Sequence, residues 1–110
     1  MSGMDKISEA CGRRTNATVI GLVHLRLHVA QAQSLKDKRR VIKSFKDRTA
    51  HAFNVSIAEV DYLDNHRMAL LAVAMVGNDR AYVEGALQRI ISTAAMHRDM
   101  VLLESEVQWL

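Results

Sequence analysis

Seven of the chain's fifteen Lys and Arg residues fall between residues 36 and 48, which makes this stretch the strongest candidate for a binding surface. Winding residues 35–53 at about 100° per residue predicts an amphipathic helix, with apolar side chains on one side and cations on the other. The cations of the outer side are Lys36, Arg39, Arg40, Lys43 and Lys46. Side chains of this kind bind RNA phosphates, which positions a protein without specifying a base sequence. The alternative interpretation is an ordinary solvated helix face.

Five histidines raise the question of a metal site. The segment around His24 and His28 alternates like a strand, and four residues of a strand span about 13 Å, too far for two ligands of one ion. We expect these histidines and Arg26 to form the polar part of a sheet face, with Glu104 or Glu106 of a neighbouring strand as partners. No metal site is therefore predicted.

The sequence also lacks the usual patterns of catalysis. There is no G-x-S-x-G motif, and the single cysteine, Cys11, lies in a predicted tail that cannot hold a catalytic geometry. The five glycines are scattered, so no loop resembles a phosphate cradle and no cofactor is expected. Glu59 and Asp61 alternate on one side of a predicted strand, and we interpret them as edge-strand charges that deter aggregation, with a paired-carboxylate site as the other interpretation. We expect no catalytic residues and no enzyme activity.

Length and composition predict one modest soluble domain. The chain has 110 residues, of which 49% are hydrophobic and 25% charged. The formal net charge is +3, but residues 36–48 carry seven positive and two negative charges, so the basicity is local. Residues 1–17 show no signal-peptide pattern, and no apolar run approaches the roughly 20 residues of a membrane helix. We expect a flexible tail over residues 1–17, a single domain over residues 18–110, and a cytoplasmic protein with no membrane contact.

The periodicity of the first half predicts a strand, a helix and a hairpin. Residues 18–29 alternate in hydrophobicity like a half-buried strand. Ser34 and Asp37 form a variant capping box at the start of the basic helix. Two further strands are predicted over residues 54–62 and 66–76, the second of them central in the sheet.

The second half adds a helix and a final strand. Asp79, with Asn78, caps a helix of regularly spaced apolar residues, and the chain is strand-like again from residue 100. In this strand Leu103, Val107 and Trp109 are expected opposite the polar side. The resulting β-α-β-β-α-β order predicts an α+β ferredoxin-like sandwich, a four-stranded antiparallel sheet with two helices on one face.

The open side of this sheet is expected to carry an apolar patch, because the third strand is apolar on both sides. Either Leu71, Val73 and Met75 or the residues that alternate with them must face away from the helices. Monomers rarely expose a patch beyond a few hundred Å². We expect burial by a second copy, with a dimer favoured, or by another protein. The predicted interface residues are Ile20, Leu22, Leu70, Ala72, Ala74 and Val76.

The positions of the aromatic residues constrain the mode of RNA binding. RNA-reading ferredoxin-like domains stack bases on aromatic residues of their central strands. Here the aromatic residues lie in the predicted helices or at strand ends, namely Phe45, Phe53, Tyr62, Tyr82 and Trp109. Base stacking on the sheet is therefore disfavoured, and phosphate contacts from the helix remain. Four such contacts predict a slope of roughly −3 to −4 when the log of the binding constant is plotted against the log of the salt concentration.

Two stretches are distinctive, SLKDKR at residues 34–39 and NVSIAEVD at residues 54–61. In these stretches, and more broadly over residues 20–80, the chain closely resembles the YlxP family, small bacterial proteins classed as a domain of unknown function. The resemblance implies a ferredoxin-like fold and a bacterial cytoplasm, and it supplies no catalytic residues. Family members are commonly encoded among genes for transcription and translation, including an initiation factor and a ribosome-binding factor. The resemblance thus makes RNA or a ribosomal subunit the expected partner.

These observations favour a small, non-enzymatic binding protein that self-associates through its sheet and contacts RNA or the ribosome through its basic helix. The alternative is a protein-interaction or scaffold module with no nucleic-acid role, whose basic helix meets an acidic protein surface. No small-molecule substrate is indicated by either hypothesis.

Overall fold

The structure is a computed structural model that describes residues 17–110 of the protein. The flexible tail predicted over residues 1–17 lies, apart from Ala17, outside the described residues. The elements are β1 (Val19–His28), α1 (Leu35–Ala52), β2 (Ser56–Asp61), β3 (Met68–Gly77), α2 (Arg80–Ala95) and β4 (Val101–Trp109). This order confirms the predicted ferredoxin-like fold. Neither helix in the described part of the chain is long and apolar enough to cross a membrane.

The four strands form one antiparallel sheet in the order β2-β3-β1-β4. β1 pairs with β3 along its whole length, from Val19 opposite Gly77 to His28 opposite Met68. Fully buried residues of β1 and β3 alternate with more accessible ones. The helices therefore cover one face of the sheet, the covered face, and leave the other face open.

The core lies between the covered face and the two helices. Each helix turns a stripe of residues spaced three or four apart toward the sheet, which is why these segments are helical. The sheet supplies Val23, Leu25, Leu27, Leu71 and Val73, and the helices supply Ile42, Phe45, Val83, Leu87 and Ile90. Gly21 permits close packing between β1 and α2, because a Cβ at this position would lie 2.8 Å from Leu87 Cδ1.

Both helices begin at the predicted caps. Ser34 Oγ accepts a hydrogen bond from the Asp37 N–H at 3.1 Å, and Asp37 Oδ2 accepts one from the Gln33 N–H at 3.0 Å. In α2, Asp79 Oδ1 accepts a hydrogen bond from the Ala81 N–H at 3.0 Å. Each cap satisfies donors that the first turn of a helix leaves unpaired.

A bulge in β4 changes which residues face the core. Leu102 lies opposite the core residue Leu27, and Glu104 lies opposite Arg26. Leu103 is the extra residue of the bulge and is 52% exposed. The prediction that Leu103 shares one side of the strand with Val107 and Trp109 was therefore wrong, because an inserted residue breaks the two-residue alternation of a strand.

A second bulge, in β2, separates two carboxylates. Glu59 lies opposite Leu71, whereas Asp61 lies opposite Leu70. Because consecutive residues of β3 point to opposite faces, Glu59 faces the helices and Asp61 faces the open side. The prediction that both carboxylates share one side was wrong, since the shift at Val60 inverts the pattern.

Candidate nucleic-acid interface

One side of α1 presents cations to solvent. We call this surface the cationic face, and it consists of the exposed Lys36, Arg39, Arg40 and Lys43 and the half-buried Lys46. On the opposite side of α1, Ile42 and Phe45 are buried in the core. The five residues predicted from the sequence thus share one side of one helix.

Two of these cations are engaged with carboxylates of the same helix. Arg40 Nη2 lies 3.5 Å from Asp37 Oδ1, and Lys43 Nζ lies 2.7 Å from Asp47 Oδ2. The Arg40 and Lys43 side chains are 69% and 75% exposed, so each ion pair contributes only about 0.2–1 kcal/mol. A phosphate group can therefore replace either carboxylate with little loss of stability.

Lys36 and Arg39 are the members of the cationic face that are both exposed and without a partner among the described residues. Both residues are exposed, and neither side chain makes a hydrogen bond or ion pair within residues 17–110. With Lys38 buried against Glu59, the rest of residues 36–48 carries six positive and two negative charges. The surface of α1 is therefore strongly cationic, and its exposed free cations, Lys36 and Arg39, lie near the start of the helix.

Lys38 has a structural role that sequence reasoning missed. Its side chain is fully buried, and its Nζ donates hydrogen bonds to Glu59 Oε2 at 2.8 Å, the Tyr62 carbonyl at 2.8 Å and the Met68 carbonyl at 3.0 Å. Since an ammonium group has three N–H donors, every donor is satisfied. Lys38 thus ties α1 to the edge strand β2 and to the start of β3.

The helical spacing contained a signal for this contact. Lys38 precedes the buried residues Ile42, Phe45 and Thr49 by four, seven and eleven residues, which places it on the stripe that faces the sheet. A lysine on that stripe needs a buried acceptor or counter-charge. Glu59 supplies the charge, so its role is an ion pair across the covered face and not the deterrence of edge aggregation that we predicted.

Tyr62, at the end of β2, has a left-handed backbone with a φ of 62°. This conformation is unfavourable for a residue with a Cβ. Hydrogen bonds to the Tyr62 carbonyl come from Lys38 Nζ at 2.8 Å and from the Asn65 N–H at 3.0 Å, and the Tyr62 N–H donates to Asp61 Oδ1 at 2.7 Å. These contacts stabilise the turn, so Lys38 also supports the backbone between β2 and β3.

The predicted interface residues all lie on the open face. Ile20 lies opposite Val76 and Leu22 opposite Ala74, and both pairs point away from the helices. The other members of the set, Leu70 and Ala72, lie opposite Arg26 and His24. The open face of the described sheet carries no Phe, Tyr or Trp, so it offers none of the stacking platforms of RNA-reading ferredoxin-like domains.

A surface cavity of about 430 Å³ adjoins the cationic face, between α1 and the loop before β4. Its lining includes Arg40, Ser44, His97 and Asp99. His97 Nδ1 accepts a hydrogen bond from the Asp99 N–H at 3.1 Å, and its buried Nε2 has no partner. Among the described residues, Ser44 Oγ accepts a hydrogen bond from Arg48 Nη2 at 3.5 Å and is not bonded to His97. Within residues 17–110, no three His, Cys, Asp or Glu side chains are placed to hold a metal ion.

A protein-family model described as "Protein of unknown function (DUF503)" matches residues 20–107. This range includes both helices, β2 and β3 completely and most of β1 and β4. The chain belongs to the DUF503 family. "Uncharacterized protein YlxP" of Bacillus subtilis (strain 168) is 35% identical over 74 residues, which make up 67% of this chain and 80% of that protein. The resemblance to the YlxP family is thus confirmed, and the DUF503 match includes both Lys38 and the cationic face.

Among solved structures, "De novo designed protein Foldit4" is similar to this DUF503 protein with a TM-score of 0.50. The match covers 84% of this chain and 96% of the designed chain, at 18% sequence identity. At this identity the similarity concerns the fold alone.

Proposed function

We propose that this DUF503 protein is a non-enzymatic protein that binds RNA, with ribosomal subunits as the preferred source, through phosphate contacts made by the cationic face. The observation that carries the proposal is the pair Lys36 and Arg39, which are exposed on one side of α1 without a partner among the described residues. Free cations next to further cations in weak surface ion pairs are the arrangement that phosphate backbones favour.

Such contacts determine what kind of RNA binding to expect. Lysine and arginine contacts to phosphates carry no base information, and the open face supplies no Phe, Tyr or Trp for stacking. Binding is therefore independent of base sequence and weakens with salt. Lys36 and Arg39 contribute about −1.4 to −1.8 to the slope of log binding constant against log salt concentration. The slope reaches roughly −3 to −4 when Arg40 and Lys43 exchange their carboxylates for phosphates.

The test is a salt titration of the purified full chain against small ribosomal subunits and against an unrelated single-stranded RNA, followed by fluorescence anisotropy. The informative variant is Lys36→Gln/Arg39→Gln, which removes two positive charges from exposed positions. Its matched control is Ala81→Glu/Gln88→Glu, which lowers the net charge by the same amount at two exposed positions of α2. If net charge alone drove binding, the two variants would lose affinity equally.

We expect the α1 variant to flatten the salt slope by about 1.4–1.8 and the α2 control to keep the wild-type slope. Stronger binding to the subunits than to the unrelated RNA at equal salt would support the ribosomal preference. A folded wild type that binds neither RNA at low salt would contradict the proposal, and the cationic face would then be assigned to an acidic protein surface.

A further inference from the structure

A surface recess of about 490 Å³ lies between the end of α1 and the second half of α2. We call it the helix recess, and its walls are formed by Thr49, Ala52, Phe53, Ile90 and Thr93. Thr49 and Ile90 are buried and form the floor, whereas Ala52 and Thr93 are exposed. Charged and polar residues line its mouth, namely Asp47, Arg48 and His51. No residue of the cationic face lines the helix recess, so the two surfaces are separate.

Two arginines without a counter-charge flank the helix recess. Arg48 lines its mouth, and Arg89 Cζ lies over the Phe53 ring, 5.3 Å from the ring centroid. Neither guanidinium group makes an ion pair within residues 17–110. The Asp47 carboxylate at the mouth is already held by Lys43 Nζ at 2.7 Å. The surroundings of the helix recess therefore carry a net positive charge, which favours an acidic ligand.

The apolar surface continues along the groove between the two helices. Arg48 and Thr93 also line a neighbouring recess, to which Met96 and Arg98 belong. Met96 is 82% exposed, which is unusual for a large apolar side chain. Aromatic residues, methionine and arginine are the types enriched in protein–protein interfaces, whereas lysine and glutamate are depleted there. Phe53, Met96 and the arginines thus have the composition of a protein-binding surface.

We propose that the helix recess is the docking site of another protein, which inserts one bulky apolar side chain that is flanked by acidic residues. The apolar side chain fills the space between Phe53 and Ile90. The flanking carboxylates pair with Arg48 and Arg89, since a planar guanidinium group binds a carboxylate through two parallel hydrogen bonds. A buried apolar anchor beside arginine is the usual arrangement of an interface hot spot.

The walls favour this occupant over RNA. Nucleobases carry hydrogen-bonding groups along their edges, and such groups are costly to bury without partners. The Thr93 hydroxyl already donates to the Arg89 carbonyl at 2.9 Å, which leaves Thr49 as the only wall residue with an unpaired hydroxyl within residues 17–110. The Phe53 ring is not a stacking platform, because Arg89 covers it and because the ring packs against the core. An aliphatic or aromatic side chain needs no hydrogen bond there.

The test is a titration of the isotope-labelled full chain with short capped peptides, without RNA, followed by amide chemical shifts in NMR spectra. The probe peptide is Glu-Glu-Phe-Glu-Glu. One matched control replaces its phenylalanine with alanine, and the other replaces its glutamates with lysines. A further titration uses 3-phenylpropionate, which joins a phenyl ring to a carboxylate, to determine whether a small acid binds as well as a peptide.

Two protein variants locate the binding site. Ala52→Glu places a carboxylate at the helix recess, where it repels an acidic ligand and fills space. Ala81→Glu is the matched control, because it makes the same change at an exposed position of α2 outside the recess. Alanine and glutamate are both good helix formers, so both variants should fold, which circular dichroism checks.

We expect the probe peptide to shift the amides of Ala52, Phe53 and Thr93, with a dissociation constant near about 1 mM. Both control peptides, and the probe with Ala52→Glu, should bind at least about tenfold more weakly, whereas Ala81→Glu should bind like the wild type. No shift at about 10 mM probe would overturn the proposal, as would equal binding of the lysine peptide.

Other occupants of the helix recess give different results, and each would also overturn the proposal. Tighter binding of 3-phenylpropionate than of the probe peptide would assign the recess to a small amphipathic acid. Recess shifts that depend on protein concentration alone would assign it to a second copy, and recess shifts with single-stranded RNA would assign it to nucleic acid. The peptide titrations contain no RNA, so their outcome leaves the proposed function of the cationic face untouched.

Discussion

Replacing Lys38 with methionine tests the most consequential contact in the structure. The substitution keeps a long apolar side chain and a good helix former but removes the ammonium group. Glu59, whose side chain is 15% exposed, loses its counter-charge, and the carbonyls of Tyr62 and Met68 each lose a donor. Breaking a buried ion pair by removing one partner destabilises a protein by about 3–5 kcal/mol.

This loss is large compared with the total stability of a small domain, about 5–15 kcal/mol. Urea unfolding, followed by circular dichroism, measures it directly. With a denaturant slope of about 1–3 kcal/mol per M, the midpoint of Lys38→Met should fall by about 1–5 M. The same helix provides the control, because the Lys43–Asp47 pair has a similar length, 2.7 Å against 2.8 Å, but is exposed. Lys43→Met should lower the stability by no more than about 1 kcal/mol.

A double-mutant cycle with Glu59→Leu separates the charge pair from the other contacts of Lys38. Glu59→Leu leaves a buried ammonium without a counter-charge, and Lys38→Met/Glu59→Leu removes both charges. The loss of stability in the double variant should therefore be smaller than the sum of the losses in the two single variants, by more than about 1 kcal/mol. It remains less stable than the wild type, because the carbonyls of Tyr62 and Met68 still lack their donor. Additive effects, or a change below about 1 kcal/mol for Lys38→Met, would refute the reasoning.

The remaining predictions concern local packing and helix capping, and urea unfolding tests each of them. Gly21→Ala should lower stability by about 1–3 kcal/mol, because the added methyl group meets Leu87 Cδ1 at 2.8 Å; an unchanged midpoint would contradict this. Gly85→Ala should raise stability by about 0.5–1 kcal/mol, since a Cβ at this helical position has no neighbour within 4 Å, and a loss would show hidden strain. Ser34→Ala should lower stability by about 0.5–2 kcal/mol through loss of the bond to the Asp37 N–H, whereas Ser34→Asp, which keeps an acceptor, should retain most of it.

The elements and their order were predictable because each has a strong local signal. Alternation identifies β1, and the caps at Ser34 and Asp79 mark the helix starts within a residue. The order of elements then leads to the ferredoxin-like topology. The choice between the two apolar sides of β3 was not predictable from that strand alone, since both sides are equally apolar and only the packing of the helices distinguishes them.

Register within the edge strands could not be read from the sequence. A bulge inserts one residue without any required residue type, and it then reverses the facing of every residue beyond it. Leu103 and Asp61 were misplaced for this reason, although the strands that contain them were found. Errors of this kind matter for function, because Glu59 and Asp61 looked like a carboxylate pair and in fact face opposite sides of the sheet.

The distinctive stretch at residues 34–39 combines contacts that maintain the fold with side chains that are free to bind. Ser34 and Lys38 make the cap and the buried ion pair, whereas Lys36 and Arg39 are exposed. Because each residue of a helix is rotated by about 100° from the last, neighbours in the sequence have different environments. Reversing all the charges of this stretch would destabilise the fold through Lys38, and the loss of folded protein would be mistaken for a loss of RNA binding. The cationic face is therefore tested fairly only by variants that change Lys36 and Arg39 and leave Lys38 in place.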